Sequence, residues 1–501
     1  MALHSHTDRY PGRSSTRPFV AALIACVGMG VALSSVPLHA APPPPASRRP
    51  RPQQPATPPP ATPDPSAPAT PAPGTPASPS TPAPASPGAQ QPATTPARQN
   101  RAPSAPTRPV EIGPYIARTN ERHLTLNADI TIRAAQDPGN GQRMPRFDVW
   151  QWQTMAVVFP IVPWTAGHSP DVVSRNGRDE PRFSGELKIA DRTVSTSGRL
   201  LGTVYHSGAR LAQWEAPAGE AREMTLSVSV PVTLFRTRLD EEKAMQVPWP
   251  TTAWPEEAAL TFGPQLYVDQ GPNPSDAGKI EPYDPLPVAG LVDRWLRELN
   301  IRDPKEVPPL RLAKMIAGRF IETFQVSGEG LTFNRNGTLE GVVVQPPPIT
   351  VAAGRGTEFD LVALLAAVYR RVGIPTRTVI GVDAGGDGRT FLEKDERARL
   401  RAWVEVALYD EVSTPGKGLL NWVPVDIAEL RRKNSRPQPL DREWRYFGTH
   451  DELDRMVPFS FHFHPPTTVR AYGTSGFWGW MITPSEPAFA TQQLRFQAQV
   501  T

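Results

Sequence analysis

The sequence predicts an α+β protein in which a helix packs on an antiparallel sheet. A β-sandwich-like domain precedes that core, and a disordered Pro-rich linker precedes both. Three observations predict this. From about 109 to 270 apolar residues recur every second position. From about 286 the period becomes helical. Ahead of both, residues 41–108 hold almost nothing that could build a core.

The period-two region comes first in the folded part. Leu124, Leu126, Ala128, Ile130 and Ile132 alternate with polar residues, as do Met224, Leu226, Val228, Val230, Val232 and Leu234. Each run reads as a half-buried antiparallel strand. Met155 to Val162 is a third strand, interrupted at Pro160, and Val204 to Trp214 a fourth, bent at Gly208. With no long helical pattern among them, 109–270 reads as a β-sandwich-like domain. Trp150, Trp152 and Trp164 are most simply core or interface residues.

Residues 271–501 form the second domain, with an aromatic C-terminal extension. Val288, Leu291, Val292, Trp295 and Leu299 mark one amphipathic helix. Leu312, Met315, Ile316, Phe320 and Phe324 mark another. Thr357 is a good N-cap, and Thr357-x-x-Asp360 fits a capping box. The helix that follows carries Leu361, Leu364, Leu365, Val368, Tyr369 and Val372, and stops at Gly373 before Pro375. Strands then run over Arg377–Val382, Arg401–Tyr409 and Leu420–Val425.

The N-terminus reads as an export signal over 1–40. Arg9, Arg13 and Arg17 precede an apolar run from Phe19 to about Val36, and Leu38-His39-Ala40 offers a cleavage point. Two alternatives stay open. Leu23-Ile24-Ala25-Cys26 resembles a lipoprotein box, although the residues after Cys26 stay apolar. An uncleaved anchor is also long enough, at the lower limit for a span. Each places the folded part outside the cytoplasm, in the periplasm or associated with the cell envelope, and membrane contact would come only through this segment. Residues 41–108 are dominated by Pro, Ala, Thr and Ser, with Asp64 as the one acid, which describes an extended tether of about 3.1 Å per residue. The net charge of +4 is small for 501 residues and gives no footprint for nucleic acid.

Three short motifs carry the chemistry. The first is Gly356-Thr357-Glu358-Phe359-Asp360, followed after the helix by Gly373-Ile374-Pro375-Thr376-Arg377. The second is Arg401-Ala402-Trp403-Val404-Glu405, and the third is Trp422-Val423-Pro424-Val425-Asp426. Together and in this order they resemble the transglutaminase-like family, whose core is shared with papain-like cysteine proteases. The family normally reads Gly-x-Cys-x-Asp, His-x-Trp-x-Glu and Trp-x-x-x-Asp. The resemblance therefore places the nucleophile position on Glu358, the base on Arg401 and the orienting carboxylate on Asp426. Only the last matches, and the chain looks like a degenerate member lacking the catalytic Cys and His.

Composition agrees with a loss of activity. The chain has one cysteine, Cys26, in the N-terminal apolar segment. The thiolate is the nucleophile of this chemistry. Glu cannot form the thioester, and Arg stays protonated, so it cannot serve as a general base. A helix N-terminus stabilises a carboxylate as well as a thiolate, so Glu358 is comfortable there. Arg401 then faces it with complementary charge, and Asp426 would accept from Arg401. The bland reading is an ion cluster that keeps the geometry of the fold. Capping explains Asp360. Trp403, Glu405 and Trp422 read as strand and core residues, and Arg377 as a structural hydrogen-bond donor.

Other chemistry is weaker. His462 and His464 share a strand face and, with His450, Asp451 or Asp454, could gather a metal; paired histidines are more often ordinary surface residues. Glu358 with a second carboxylate could run hydrolysis without a cysteine, but Arg401 beside it favours the charged form over a general acid. Trp444, Tyr446, Phe447, Phe477, Trp478 and Trp480 could wall a cleft, although packing is the simpler role. The expectation is thus an exported pseudoenzyme, without cofactor or metal, whose cleft binds a protein, peptide or cell-wall component. A hydrolase using Glu358 or the His462/His464 region is the rival, and a structural envelope protein the third reading.

Limited proteolysis should remove everything before about 109 quickly and leave a stable body. A protease-resistant 41–108 segment, seen by mass spectrometry of the digest, would overturn the tether.

Overall fold

The structure, a computed structural model, describes residues 110–111, 113–135, 149–175, 178–201, 208, 210–272, 280–385, 400–412, 418–463, 479–483 and 489–501. All of them fall in one compact unit, Ala97–Thr501. The export segment and tether read over 1–108 lie outside the described residues. Among the described residues, no helix is long and apolar enough to cross a membrane.

Seven strands position the site: β1 (Ile116–Ala135), β2 (Glu223–Leu239), β3 (Thr376–Asp383), β4 (Leu400–Asp410), β5 (Leu419–Val425), β6 (Met456–Ser460) and β7 (Phe489–Val500). β1 lies antiparallel between β2 and β7, so Ile130 faces Leu226 on one side and Leu494 on the other. The alternation in the sequence is the alternation in burial. Leu124, Leu126, Ala128, Ile130 and Ile132 are all buried, and so is every second residue of β2 from Met224 to Leu234. Among the described residues this sheet has nine strands. It crosses residue 270, because it also takes β7 and the hairpin Leu331–Phe333 with Leu339–Val342. The physical reason is that β1 is long and has two edges to satisfy; β2 fills one and the far end of the chain fills the other.

A second sheet holds Thr154–Ile161 and Arg210–Ala216, paired antiparallel. Pro160 does not interrupt its strand: it lies within Thr154–Ile161 and pairs with Leu211, and among the described residues the pairing with Gly479–Thr483 reaches only Val158. Proline is tolerated at a strand position whose N–H the ladder does not need. The strand expected from Val204 begins at Arg210, and residues 202–207 lie outside the described set. Trp214, fully buried, joins the two sheets: a Cβ at Gly185 would lie 2.5 Å from its ring. Glycine is what lets the sheets approach there.

The helices that frame the site are α1 (Leu286–Glu298), α2 (Pro309–Thr323), α3 (Pro347–Ala353), α4 (Glu358–Arg371) and α5 (Ile427–Lys433). In α1, Val288, Leu291, Val292 and Trp295 point inward, and Trp295 meets Phe320 and Phe324 edge-on. α4 is apolar around most of its circumference, which suits a central helix. It packs on β3 and β4 and is surrounded by the other helices. It ends where the sequence indicated: Gly373 takes a positive φ of 85°, and Ile374-Pro375 leads into β3. β3 to β6 form a four-stranded antiparallel sheet in the order β5-β4-β3-β6.

A buried clamp ties this sheet to the β-rich region. Arg377 of β3 forms an ion pair with Glu405 of β4, both fully buried, at 3.0 and 2.7 Å. Its guanidinium lies 4.1 Å from the Trp422 ring centre and 4.3 Å from that of Phe461. The segment Trp164–Ser169, which runs into a short strand beside β2, is held from two directions. Arg377 donates to the Trp164 carbonyl, and Glu405 accepts from the Ala166 N–H at 2.8 Å. Arg118 of β1 donates to the carbonyls of Thr165, Ala166 and His168. Trp164 thus covers the clamp and Trp152 is core, while the side chain of Trp150 is outside the described residues.

His168 is buried inside this clamp. Burial, and then the charges of Arg118 and Arg377, push its pKa down from 6.5 to about 3. The unfolded chain therefore binds a proton that the native state refuses at any pH between those two values. The stability that depends on neutral His168 is complete above about pH 6.5 and falls with acidification toward pH 3, by at most about 1.4 kcal/mol per pH unit. His168→Gln should flatten the pH dependence of stability between pH 6.5 and 4 by about one proton, measured by urea unfolding. An unchanged slope would show that His168 is not refused its proton.

Candidate functional site

The site begins at the N-terminus of α4. Thr357 caps the helix by accepting from the Asp360 N–H, and Asp360 accepts in return from the Thr357 N–H at 2.8 Å. Asp360 also accepts from the Gln345 N–H at 2.6 Å. Burial raises its pKa against these bonds. Asp360 is thus spent on capping, and Glu358 becomes the first helical residue.

The Glu358 carboxylate, almost fully buried, points at the start of β4. It accepts from the Ala402 N–H at 2.6 Å and from Arg401 Nε at 2.9 and 3.3 Å. One strand therefore offers it a backbone donor and a charged side chain from consecutive residues. From the other side Arg432 of α5 donates at 2.9 Å. Arg401 turns its remaining edge to the end of β5. There Nη2 donates to Asp426 at 3.0 Å and to Glu429 at 3.1 Å. Asp426 is fully buried and also caps α5, accepting from the Glu429 N–H at 3.0 Å. Glu429 closes the ring through Arg432 at 2.6 Å.

The sixth member is His450. Its Nε2 lies 3.3 Å from Asp426, and its Nδ1 accepts from the Glu452 N–H at 3.2 Å. That acceptor role puts the ring proton on Nε2, aimed at Asp426. Tyr446 packs edge-on against the imidazole.

The electrostatics follow from the geometry. Burial pulls the Arg401 pKa down, but Glu358, Asp426 and Glu429 outweigh it and drive it above the ordinary arginine value. Arg432 is raised in the same way: burial opposes, and Glu358 and Glu429 prevail. Burial pushes Asp426 up, yet Arg401 and the bond from His450 leave it below its ordinary value. All three shifts favour the charged forms, as a mutually paired set requires.

The structure thus brings Glu358, Arg401 and Asp426 together. Sequence reasoning missed Glu429 and Arg432. Their signal was present: Asp426, Glu429 and Arg432 are three apart on one helix, hence on one face. His450, considered with Asp451 and Asp454 for a metal, belongs here instead. Asp451 faces Arg445 and Asp454 faces Arg236, because each acid lies nearer a guanidinium than an imidazole. Among the described residues no group of three metal-ligating side chains gathers. His462 is buried beside Ser460, and His464 lies outside the described residues. Trp444, Tyr446 and Phe447 are core. Phe477 and Trp478 lie outside the described residues, and Trp480 is a residue of the strand Gly479–Thr483.

The family model of the transglutaminase-like superfamily matches residues 331–427, which include Glu358, Arg401 and Asp426. Residues 331–427 belong to that superfamily. Among solved structures, the chain resembles a candidate cysteine protease from Cytophaga hutchinsonii at 11% identity. That match covers 77% of this chain and 92% of the other, with a TM-score of 0.40. It also resembles the periplasmic domain of TgpA from Pseudomonas aeruginosa, solved with ethylmercury, at 13% identity. There the match covers 62% of this chain and 92% of the other, with a TM-score of 0.24. No curated protein matches the chain.

Breaking the cluster should cost more at its hub than at its rim. Arg401→Met strands three acids and should destabilise by about 3–5 kcal/mol, while Glu358→Gln leaves Arg401 two partners and should cost less. The two costs should depart from additivity in the double variant by more than about 0.5 kcal/mol, measured by urea unfolding. Additive costs would mean that the two side chains do not interact.

Proposed function

We propose that the chain is an exported, catalytically inactive member of the transglutaminase-like superfamily. Its cleft region serves as a binding surface for a protein, a peptide or a cell-wall component. Glu358 stands at the position of the family's thiol, Arg401 at that of its imidazole and Asp426 at that of its carboxylate. The observation that carries the reading is the saturation of Glu358. Ala402, Arg401 and Arg432 together donate to both of its oxygens. A carboxylate so engaged is a poor nucleophile, and it has no thiol chemistry to offer. The chain's one cysteine is Cys26, inside the segment read as an export signal. With the floor of the cleft closed by its own charges, a partner meets the rim, where Arg432 is 40% exposed.

Export rests on Arg9, Arg13 and Arg17 ahead of the apolar run, and on the Pro-rich stretch that would hold the body away from a membrane or wall. The two packed sheets are read as a sandwich-like platform for the core.

The test is gain of a thiol. The chain without residues 1–40 should resist iodoacetamide and should incorporate no amine into a glutamine peptide. Glu358→Cys with Arg401→His should become alkylated faster than a free thiol at neutral pH, since an imidazole would then face the sulfur. Amine incorporation or peptide cleavage by the unaltered chain would overturn the reading.

A further inference from the structure

The surroundings of Glu358 are a receptor in their own right. Its carboxylate sits on α4, while its donors come from other elements: the Ala402 N–H and Arg401 from β4, and Arg432 from α5. These donors are also held without Glu358. Arg401 is fixed by Asp426 and Glu429 at 3.0 and 3.1 Å, Arg432 by Glu429 at 2.6 Å, and Ala402 by the pairing of β4 with β3. A guanidinium Nε–H, a backbone N–H and a second guanidinium around one buried point are what a carboxylate needs. The N-terminus of α4 adds its dipole.

We infer that this is a carboxylate-binding site whose occupant is supplied by the chain itself, and that Glu358 is a tethered ligand. The inference rests on the reading that the site is not catalytic. It assigns the ligand class as a small carboxylate. It also explains why the site is filled in the intact chain: the tethered carboxylate binds intramolecularly, at a high effective concentration. Arg432, half in solvent, is the receptor arm that an outside carboxylate meets first.

The fragment lost in Glu358→Ala is a methylene and a carboxylate, which is acetate in size and charge. The experiment titrates sodium acetate into that variant at constant ionic strength and reads Tm. The variant should melt below the unaltered chain, and acetate should restore it by about 1.5 °C per decade of concentration once above its Kd. Sodium chloride should not restore it, hexanoate should be too long, and the unaltered chain should not respond. Adding Arg401→Met to the variant should abolish the response. If Glu358→Ala does not fold, the same titration is read as refolding yield from urea, which acetate and not chloride should raise. An absent acetate effect, one equal to chloride, or one that survives Arg401→Met would overturn the receptor. None of these outcomes bears on thiol chemistry, so the non-catalytic reading stands or falls separately on the alkylation test.

Discussion

The core is organised around the Arg401 guanidinium. It touches three carboxylates on two different elements: Glu358 on α4, and Asp426 and Glu429 at the start of α5. Bringing that many ions out of water is costly unless each finds partners, and partial satisfaction is worse than none. The cluster meets the condition by using backbone as well as side chains. Ala402 N–H completes Glu358, and Glu429 N–H completes Asp426. Each bond therefore fixes a junction of elements: the start of α4 to the start of β4, and the end of β5 to the start of α5. Helix dipoles assist at both ends, since Glu358 and Asp426 each stand at a helix N-terminus.

A second buried pair, Arg377 with Glu405, serves a different join. Outside the pair, Arg377 also faces Glu257 at 3.9 Å, and both members bind backbone groups of the segment Trp164–Ala166, which belongs to the β-rich part of the chain. Strand and clamp together make the two regions interdependent. β7 closes the long sheet from the C-terminus, and the clamp pins the first region to β3 and β4. His450 joins the two systems: its backbone pairs with Thr237 of β2, while its ring faces Asp426. A disturbance of the charged cluster would thus be felt at the large sheet, although no cluster carboxylate lies within it.

Local features were legible in the sequence and distant pairings were not. The start of α4 was readable because a capping box is written within four residues, and its end because Gly373 and Pro375 leave the chain no helical continuation. β1 and β2 were readable because burial on one face forces a period of two. β7 carries Leu494, Phe496 and Ala498 at the same spacing, but no local signal says that its partner lies more than 350 residues earlier, from 124 to 135. Pro160 misled for a related reason: whether a proline breaks a strand depends on whether a distant neighbour needs its N–H, which the local sequence does not say. At the site, Glu358, Arg401 and Asp426 came from motif order. Glu429 and Arg432 needed the further step of projecting α5 as a helix, since their meaning lies in sharing a face with Asp426.

Charge and reactivity are separable in such a site. A thiolate facing an imidazolium and a carboxylate facing a guanidinium present the same pattern to their surroundings: an anion at a helix N-terminus, a cation on the adjoining strand and a carboxylate behind the cation. Fold geometry responds to that pattern, so the helix start, the strand register and the capping of α5 can persist under either set. Catalysis responds to something else, namely a polarisable nucleophile and a group whose proton moves near neutral pH. Glutamate and arginine provide neither, and what they add is a charge pair that the strand and both helices share: Arg401 Nε binds Glu358 while Nη2 binds Asp426 and Glu429. The same residues therefore set the junctions of the core and the chemistry available at its centre.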